Sequence, residues 1–316
     1  DTKPFSEPEQ ASPVRWACYH AWWRGVQGAF DASVGARCSV NMIMEAPMII
    51  DIDPRVDIVF KKLFGSPDHP NLTMSFVNAV LQEAGLPEAI SLTIKNPFRL
   101  AEFEDEKSSE LDILYHDQAG NEIQLEMQIE CHAGLAQRMV HNWAQLYTHQ
   151  LARGHDYKEH SQVLSIWILN EPMFGDGRWF HLFRFYCLLT GMLLHEDACI
   201  MTIELPVWTH LNRGGEHGIF GGVEKWNYFL TRAGGQEADV LLATLRDPVF
   251  KEAVELMTDF TRSQKLRHAY DMRQNYQHII ASYKRTGFEA GLEEGRAAGL
   301  AEGKVEGKLE GKAEGK

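Results

Sequence analysis

The chain has 316 residues, 44% of them hydrophobic, and a formal net charge of −13, enough to bury one large core or a core with an appendage. No apolar run approaches the ~18 residues of a membrane-spanning helix, so a spanning helix is excluded and a soluble, cytoplasmic chain with no membrane partner is expected. The cysteines Cys18, Cys38, Cys131, Cys187 and Cys199 are odd in number and lack CxxC spacing, which fits a reducing compartment better than a disulfide framework and excludes an obvious zinc knuckle.

Residues 1–48 lack sustained periodicity until Met42 and hold Trp16, Trp22 and Trp23 close together. They are expected to form a non-core extension, with Met42, Met44 or Met48 near the true start; the alternative is an accessory element that packs its tryptophans on the core. From Pro54, Val56, Val59, Phe60 and Leu63 recur at helical spacing up to Gly65, and a second helix is expected over 71–84. Residues 91–103 carry a short strand pattern, and AEFEDEKSSE, Ala101–Glu110, is a charged loop.

The stretch Leu111–Glu130 reads as a hairpin. Ile123, Leu125, Met127 and Ile129 alternate with Gln124, Glu126, Gln128 and Glu130, the pattern of a strand with one apolar and one polar face. The first arm sends Leu111, Ile113 and Tyr115 to the apolar side and Asp112 to the other. A three-residue loop, Gln118-Ala119-Gly120, with glycine at the left-handed position, sets Asp117 against Asn121 and Asp112 opposite Glu126; a two-residue loop would mix the faces. Opposed carboxylates destabilise a strand pair, and a divalent cation taking oxygens from both would relieve this, with the Gln128 amide on the same face. The plainer alternative is the solvated side of an amphipathic hairpin.

Next comes an amphipathic helix over 134–153 with Leu135, Met139, Trp143, Leu146 and Tyr147 on its apolar stripe. Its polar side aligns Arg138, His141 and Gln145; Arg138 is placed to pair with Glu130 or to hold a phosphate. QVLSIWILN, Gln162–Asn170, has the length and apolarity of a buried central strand. A helix or strand is expected over 179–194, a strand with Glu204 over 200–208, and helix over 239–284, where Arg262, Lys265, Arg267, His268 and Arg273 make a basic run. That run is either a DNA-backbone surface or a solvated helix face. Glycines then recur every fourth residue from Gly287 to Gly315, mostly preceded by Glu. Eight helical glycines cost about 1 kcal/mol each against alanine, so an isolated stable helix is not expected there; the alternatives are a disordered tail and a small-residue stripe that joins another copy of the chain.

An Asp on one strand followed by Glu-x-Lys on its hairpin partner marks the PD-(D/E)XK nucleases, and Asp112, Glu126 and Gln128 follow that pattern with glutamine for lysine. Together with FKKLFG at Phe60–Gly65, LDI at Leu111, EMQ at Glu126, Arg138 followed by Tyr147, IELPVW near Glu204 and WNYFL near Trp226, the chain resembles the PD-(D/E)XK nuclease family transposases, the recombination-promoting nuclease group, over about residues 51–300. The resemblance implies an α/β, restriction-endonuclease-like core of αβββαβ order, a mixed central sheet flanked by helices, with a helical C-terminal region and a low-complexity tail. The expected division is 1–48 extension, 49–235 nuclease-like domain, 236–285 helical region and 286–316 repeat tail.

It also implies a Mg²⁺- or Mn²⁺-dependent DNA endonuclease linked to recombination or transposition. Asp112 and Glu126 would be the metal ligands, and Asp112, Glu126 and Gln128 the catalytic set. Asp57, on the first helix, is the candidate further acid and Lys107 the candidate replacement for the missing lysine; each has the alternative of an exposed charge. DNA is the expected partner, with a homo-oligomer through the C-terminal repeat, although no DNA-binding residue is identified by the resemblance. Residues 51–130 hold 16 acidic against 6 basic side chains, which suits metal-dependent chemistry but requires other surfaces to hold phosphates. The alternative function is a weak or inactive DNA-associated or assembly protein that keeps the fold.

Overall fold

The computed structural model describes residues 48–96, 113–151, 156–212, 218 and 221–314. The expectations for the N-terminal extension, Lys107 and Asp112 lie outside these residues. The described elements run α1 (Asp57–Gly65), α2 (Pro70–Glu83), β1 (Leu92–Ile94), β2 (Ile113–Asp117), β3 (Glu122–Gln128), α3 (Leu135–His149), β4 (Val163–Leu169), β5 (Phe180–Phe183), β6 (Ala198–Glu204), α4 (Leu205–Leu211), α5 (Gly222–Arg232), α6 (Ala238–Leu245), α7 (Val249–Arg262) and α8 (Gln264–Glu314). Up to β4 this is the expected αβββαβ order, with α2 added after the first helix. The strands form one mixed sheet in the order β1-β2-β3-β4-β6-β5, with β3, β4 and β6 parallel and the outer pairs antiparallel.

The hairpin register agrees with its sequence pattern. Ile113 faces Leu125 and His116 faces Glu122; the Gly120 amide donates to the Asp117 carbonyl at 3.1 Å, and Gly120 has φ +83°, a conformation that costs an L side chain ~1–2 kcal/mol. Side-chain alternation then divides the molecule into two layers. Ile123, Leu125 and Met127 of β3, Leu164, Ile166 and Ile168 of β4, and Cys199, Met201 and Ile203 of β6 join one large core with α1, α2 and α4 to α7. Its centre is aromatic: Trp226 lies 5.3 Å from Phe64, 5.7 Å from Phe76 and 4.7 Å from Phe250, ring centre to ring centre. The residues of α6 and α7 are part of this same core, and Met48 and Ile50 are tied by backbone hydrogen bonds to Ala238, Gln236 and Gly235.

The opposite face of the sheet is covered by α3, through Leu135, Met139 and Trp143 packed on Val163, Trp167, Leu169 and Ala198. At β6 the strand ends at Glu204, because Leu205-Pro206 opens α4, with proline in its first turn where a missing amide hydrogen is tolerated.

The glycine repeat is helical. Helix α8 runs unbroken through Glu314, contrary to the expectation for that segment in isolation. Its first turns are anchored by buried Tyr270 and by Leu266 and Ala269 on the core. Extending a formed helix costs far less than nucleating one, so the anchored start offsets the weak propensity that follows.

Candidate functional site

The even-numbered side chains of β3 are not solvated. Glu122, Gln124, Glu126 and Gln128 are all buried, Glu126 completely; Arg138 of α3 reaches over Glu126, and Lys95 and His116 lie against Glu122. Parallel pairing places Glu126 beside Trp167 and Trp167 beside Thr202, with Gln128, Leu169 and Glu204 in the next row. A polar layer therefore runs through the sheet under α3. The Trp167 indole donates to Ser165 Oγ at 2.7 Å, and Ser165 Oγ donates to Gln124 Oε1 at 2.7 Å.

Among the described residues, Glu126 is held at one oxygen. Arg138 Nη2 donates to Glu126 Oε1 at 2.9 Å, and Gln128 Nε2 donates to the same oxygen at 2.5 Å. Arg138 Nη1 also reaches Gln128 Oε1 at 3.5 Å, and its guanidinium carbon lies 5.7 Å from the centre of the Trp167 ring. The second carboxylate oxygen, Glu126 Oε2, is buried with no hydrogen-bond partner among the described residues. An unsatisfied buried carboxylate oxygen carries a large desolvation cost. The arrangement of an anchored Oε1 and an open Oε2 fits a cation ligand, and the Gln128 amide is in contact with the same carboxylate. Among the described residues no group of three or more His, Cys, Asp or Glu side chains is placed to hold a metal; Asp112, the expected second ligand, lies outside them.

Arg138, expected to meet Glu130 or a phosphate, is an ion-pair partner of Glu126, since the 3.6-residue period of α3 swings it over the middle of β3. Its side chain remains 39% exposed, so the pair reaches solvent on the arginine side.

Asp57, on the first helix, has its own partners. It accepts from the Ile58 amide and pairs with Arg273 of α8 at 3.5 Å, which makes it a tie between the first helix and the C-terminal one. Burial pushes its carboxyl above the ordinary value, with Arg273 and the Ile58 amide acting in the opposite direction. A carboxyl with a raised folded pKa contributes stability that is full below its unfolded pKa, about 3.9, and declines as pH rises through the folded value. Asp57→Asn is accordingly expected to flatten the fall in urea midpoint as the pH rises above ~4, the ordinary carboxyl value; an unchanged profile would remove this assignment.

The structure adds groups that spacing does not reveal. Asn170, just past β4, donates its backbone N–H to the Gln128 carbonyl at 2.9 Å and accepts from Arg55 Nη1 at its side-chain Oδ1 at 2.8 Å, and Arg55 also grips Asp53. Arg55 thus brings a second guanidinium to the carboxyl end of β3 and β4, the edge at which parallel sheets bind ligands. At the other end of β3, Glu122 is paired with Lys95 at 2.8 Å and His116 at 3.2 Å. The only sequence signal for the buried polar layer was Ser165, the one polar residue within VLSIWIL.

Two of the basic residues on α8 are engaged internally, Arg267 with Asp51 and Asp271 and Arg273 with Asp57, whereas Arg262, Lys265 and His268 are exposed. Among the described residues, no helix is long and apolar enough to cross a membrane.

Residues 54–287 match the model of a family described as PD-(D/E)XK nuclease family transposase. No curated protein and no solved structure matches the chain.

Proposed function

The chain belongs to the PD-(D/E)XK nuclease family transposases, and from that premise we propose that it is a Mg²⁺- or Mn²⁺-dependent DNA endonuclease serving recombination or transposition. The observation that carries this reading is the open Oε2 of Glu126, fully buried beside an oxygen already fixed by Arg138 and Gln128. Glu126 and Asp112 would hold the metal. When bound, the ion supplies an activated water and neutralises charge on the scissile phosphate. Gln128 positions the Glu126 carboxylate through its amide. In this reading the Arg138 guanidinium, exposed on one side, supplies the fixed positive charge that Gln128 cannot and meets a phosphate oxygen there; Lys107 is the other candidate for that charge. DNA is the partner, its backbone lying on exposed cations such as Arg262 and Lys265, and the helical glycine repeat is a site of self-association.

The second reading, a DNA-associated protein without efficient turnover, is favoured by glutamine at the lysine position and by Arg138 neutralising the Glu126 charge. Plasmid nicking separates the two. Gln128→Lys is expected to keep or raise Mg²⁺-dependent nicking, and Gln128→Ala to lower it by about 10–100-fold, as for other groups that orient a metal ligand. Purified wild type that never nicks with Mg²⁺ or Mn²⁺, while Gln128→Lys does, would establish the second reading.

A further inference from the structure

Between β5 and β6 the chain makes a small hairpin, FYCLLTGMLL, without one charged residue. Tyr186 pairs with Leu193, Cys187 N donates to the Met192 carbonyl at 2.8 Å, and Leu194 N donates to the Phe185 carbonyl at 2.8 Å. Gly191, at φ +70°, closes the tip. This ordered hairpin holds its apolar side chains away from the core: Leu188 is 99% exposed, Leu189 96% and Leu194 74%. A contiguous apolar projection of this kind marks an interaction surface.

At the base of the hairpin lies a pocket of about 170 Å³ between α3 and the β5–β6 edge, lined by Met139, Val140, Trp143, Phe174 and Phe185. Its size is that of a cavity that holds one small ring, ~150 Å³, or about a leucine side chain or two. Arg184 also lines it, and Arg184 Nε is buried with no hydrogen-bond partner among the described residues. The pocket thus presents mainly apolar walls, and the hairpin tip presents leucines.

We propose that the hairpin tip of a second copy of this chain inserts Leu188 and Leu189 into this pocket, the two copies exchanging tips about a twofold axis. Knob and hole sit side by side on one surface, the requirement for a self-complementary twofold interface. Strand β5 ends the sheet, so nothing within the sheet covers that edge. A lipid surface fits less well: it leaves the pocket unfilled, and a hairpin without a cation, on a chain of net charge −13, lacks the basic residues that draw a protein to anionic membranes. This interface is separate from the glycine repeat and does not depend on nuclease activity.

The test is sedimentation analysis of the full-length chain. Wild type is expected to dimerise, and Leu188→Asp/Leu189→Asp to raise the dimer dissociation constant at least 100-fold, the order expected when an anchor in an interface pocket is lost. Both positions are solvent-exposed, so the far-ultraviolet circular dichroism is expected to stay unchanged. Val140→Trp, which fills the hole and leaves the tip intact, is expected to weaken the dimer as well, and a 1:1 mixture of Leu189→Cys and Val140→Cys chains to give a disulfide-linked heterodimer under oxidation. A wild type that is monomeric at about 100 µM, well above the Kd of a specific complex, would overturn the proposal. So would a dimer indifferent to the tip substitutions, which would assign association to α8, or a monomer that cosediments with neutral phosphatidylcholine vesicles through Leu188 and Leu189.

Discussion

The Glu126→Gln chain is expected to lose Mg²⁺-dependent plasmid nicking by more than about 100-fold, beyond the upper end of what losing a merely supporting group of a metal site costs, and to remain folded. The fold survives because glutamine occupies the same volume and its carbonyl still accepts from Arg138 and Gln128 at the position of Oε1. Arg138 loses its anionic partner, but its guanidinium reaches solvent, so no charge is left buried and unpaired. What disappears is the charge on the open Oε2, the oxygen assigned to a cation in the proposed function. Mg²⁺ or Mn²⁺ is expected to raise the melting temperature of wild type and to shift Glu126→Gln much less. Equal nicking by the two proteins would place the activity elsewhere.

Trp226→Ala is expected to destabilise the protein by about 3–5 kcal/mol, the range for truncating a large aromatic in a packed core. Trp226 is 1% exposed and joins α1, α2, α5 and α7 through Phe64, Phe76, Phe229 and Phe250, and its indole nitrogen donates to Ser75 at 3.1 Å. These rings belong to helices far apart in the chain, so the cavity cannot close by moving one element alone. Chemical denaturation monitored by circular dichroism measures the loss. A penalty below about 1 kcal/mol, typical of a peripheral site, would show that the helical layer is loosely coupled to the sheet. If α7 folded as a separate unit, the truncation would split the unfolding transition in two; a single shifted transition is expected.

The strands and their register were readable in the sequence because they depend on local chemistry. Alternation from Ile123 to Ile129 has only one strand phase that buries the apolar residues, and Gly120 allows the turn that keeps β2 in step with it. The run from Val163 to Leu169 could be read as buried on both faces because no alternation was left in it. The tertiary structure decided what covers the polar side of β3. Nothing in the spacing of Gln124, Glu126 and Gln128 distinguishes a solvated face from a buried one, since that depends on what distant segments lay over it. The path of α3 selected Glu126 as a partner of Arg138, and packing of Arg273 against the first helix turned Asp57 into a structural tie. In the tail, repeat composition argued against an isolated helix, but Tyr270 fixed in the core removed the cost of nucleation. Local pattern determined which residues form elements and which face of each is apolar; long-range packing decided which polar groups were buried together, because that energy is shared among residues distant in sequence.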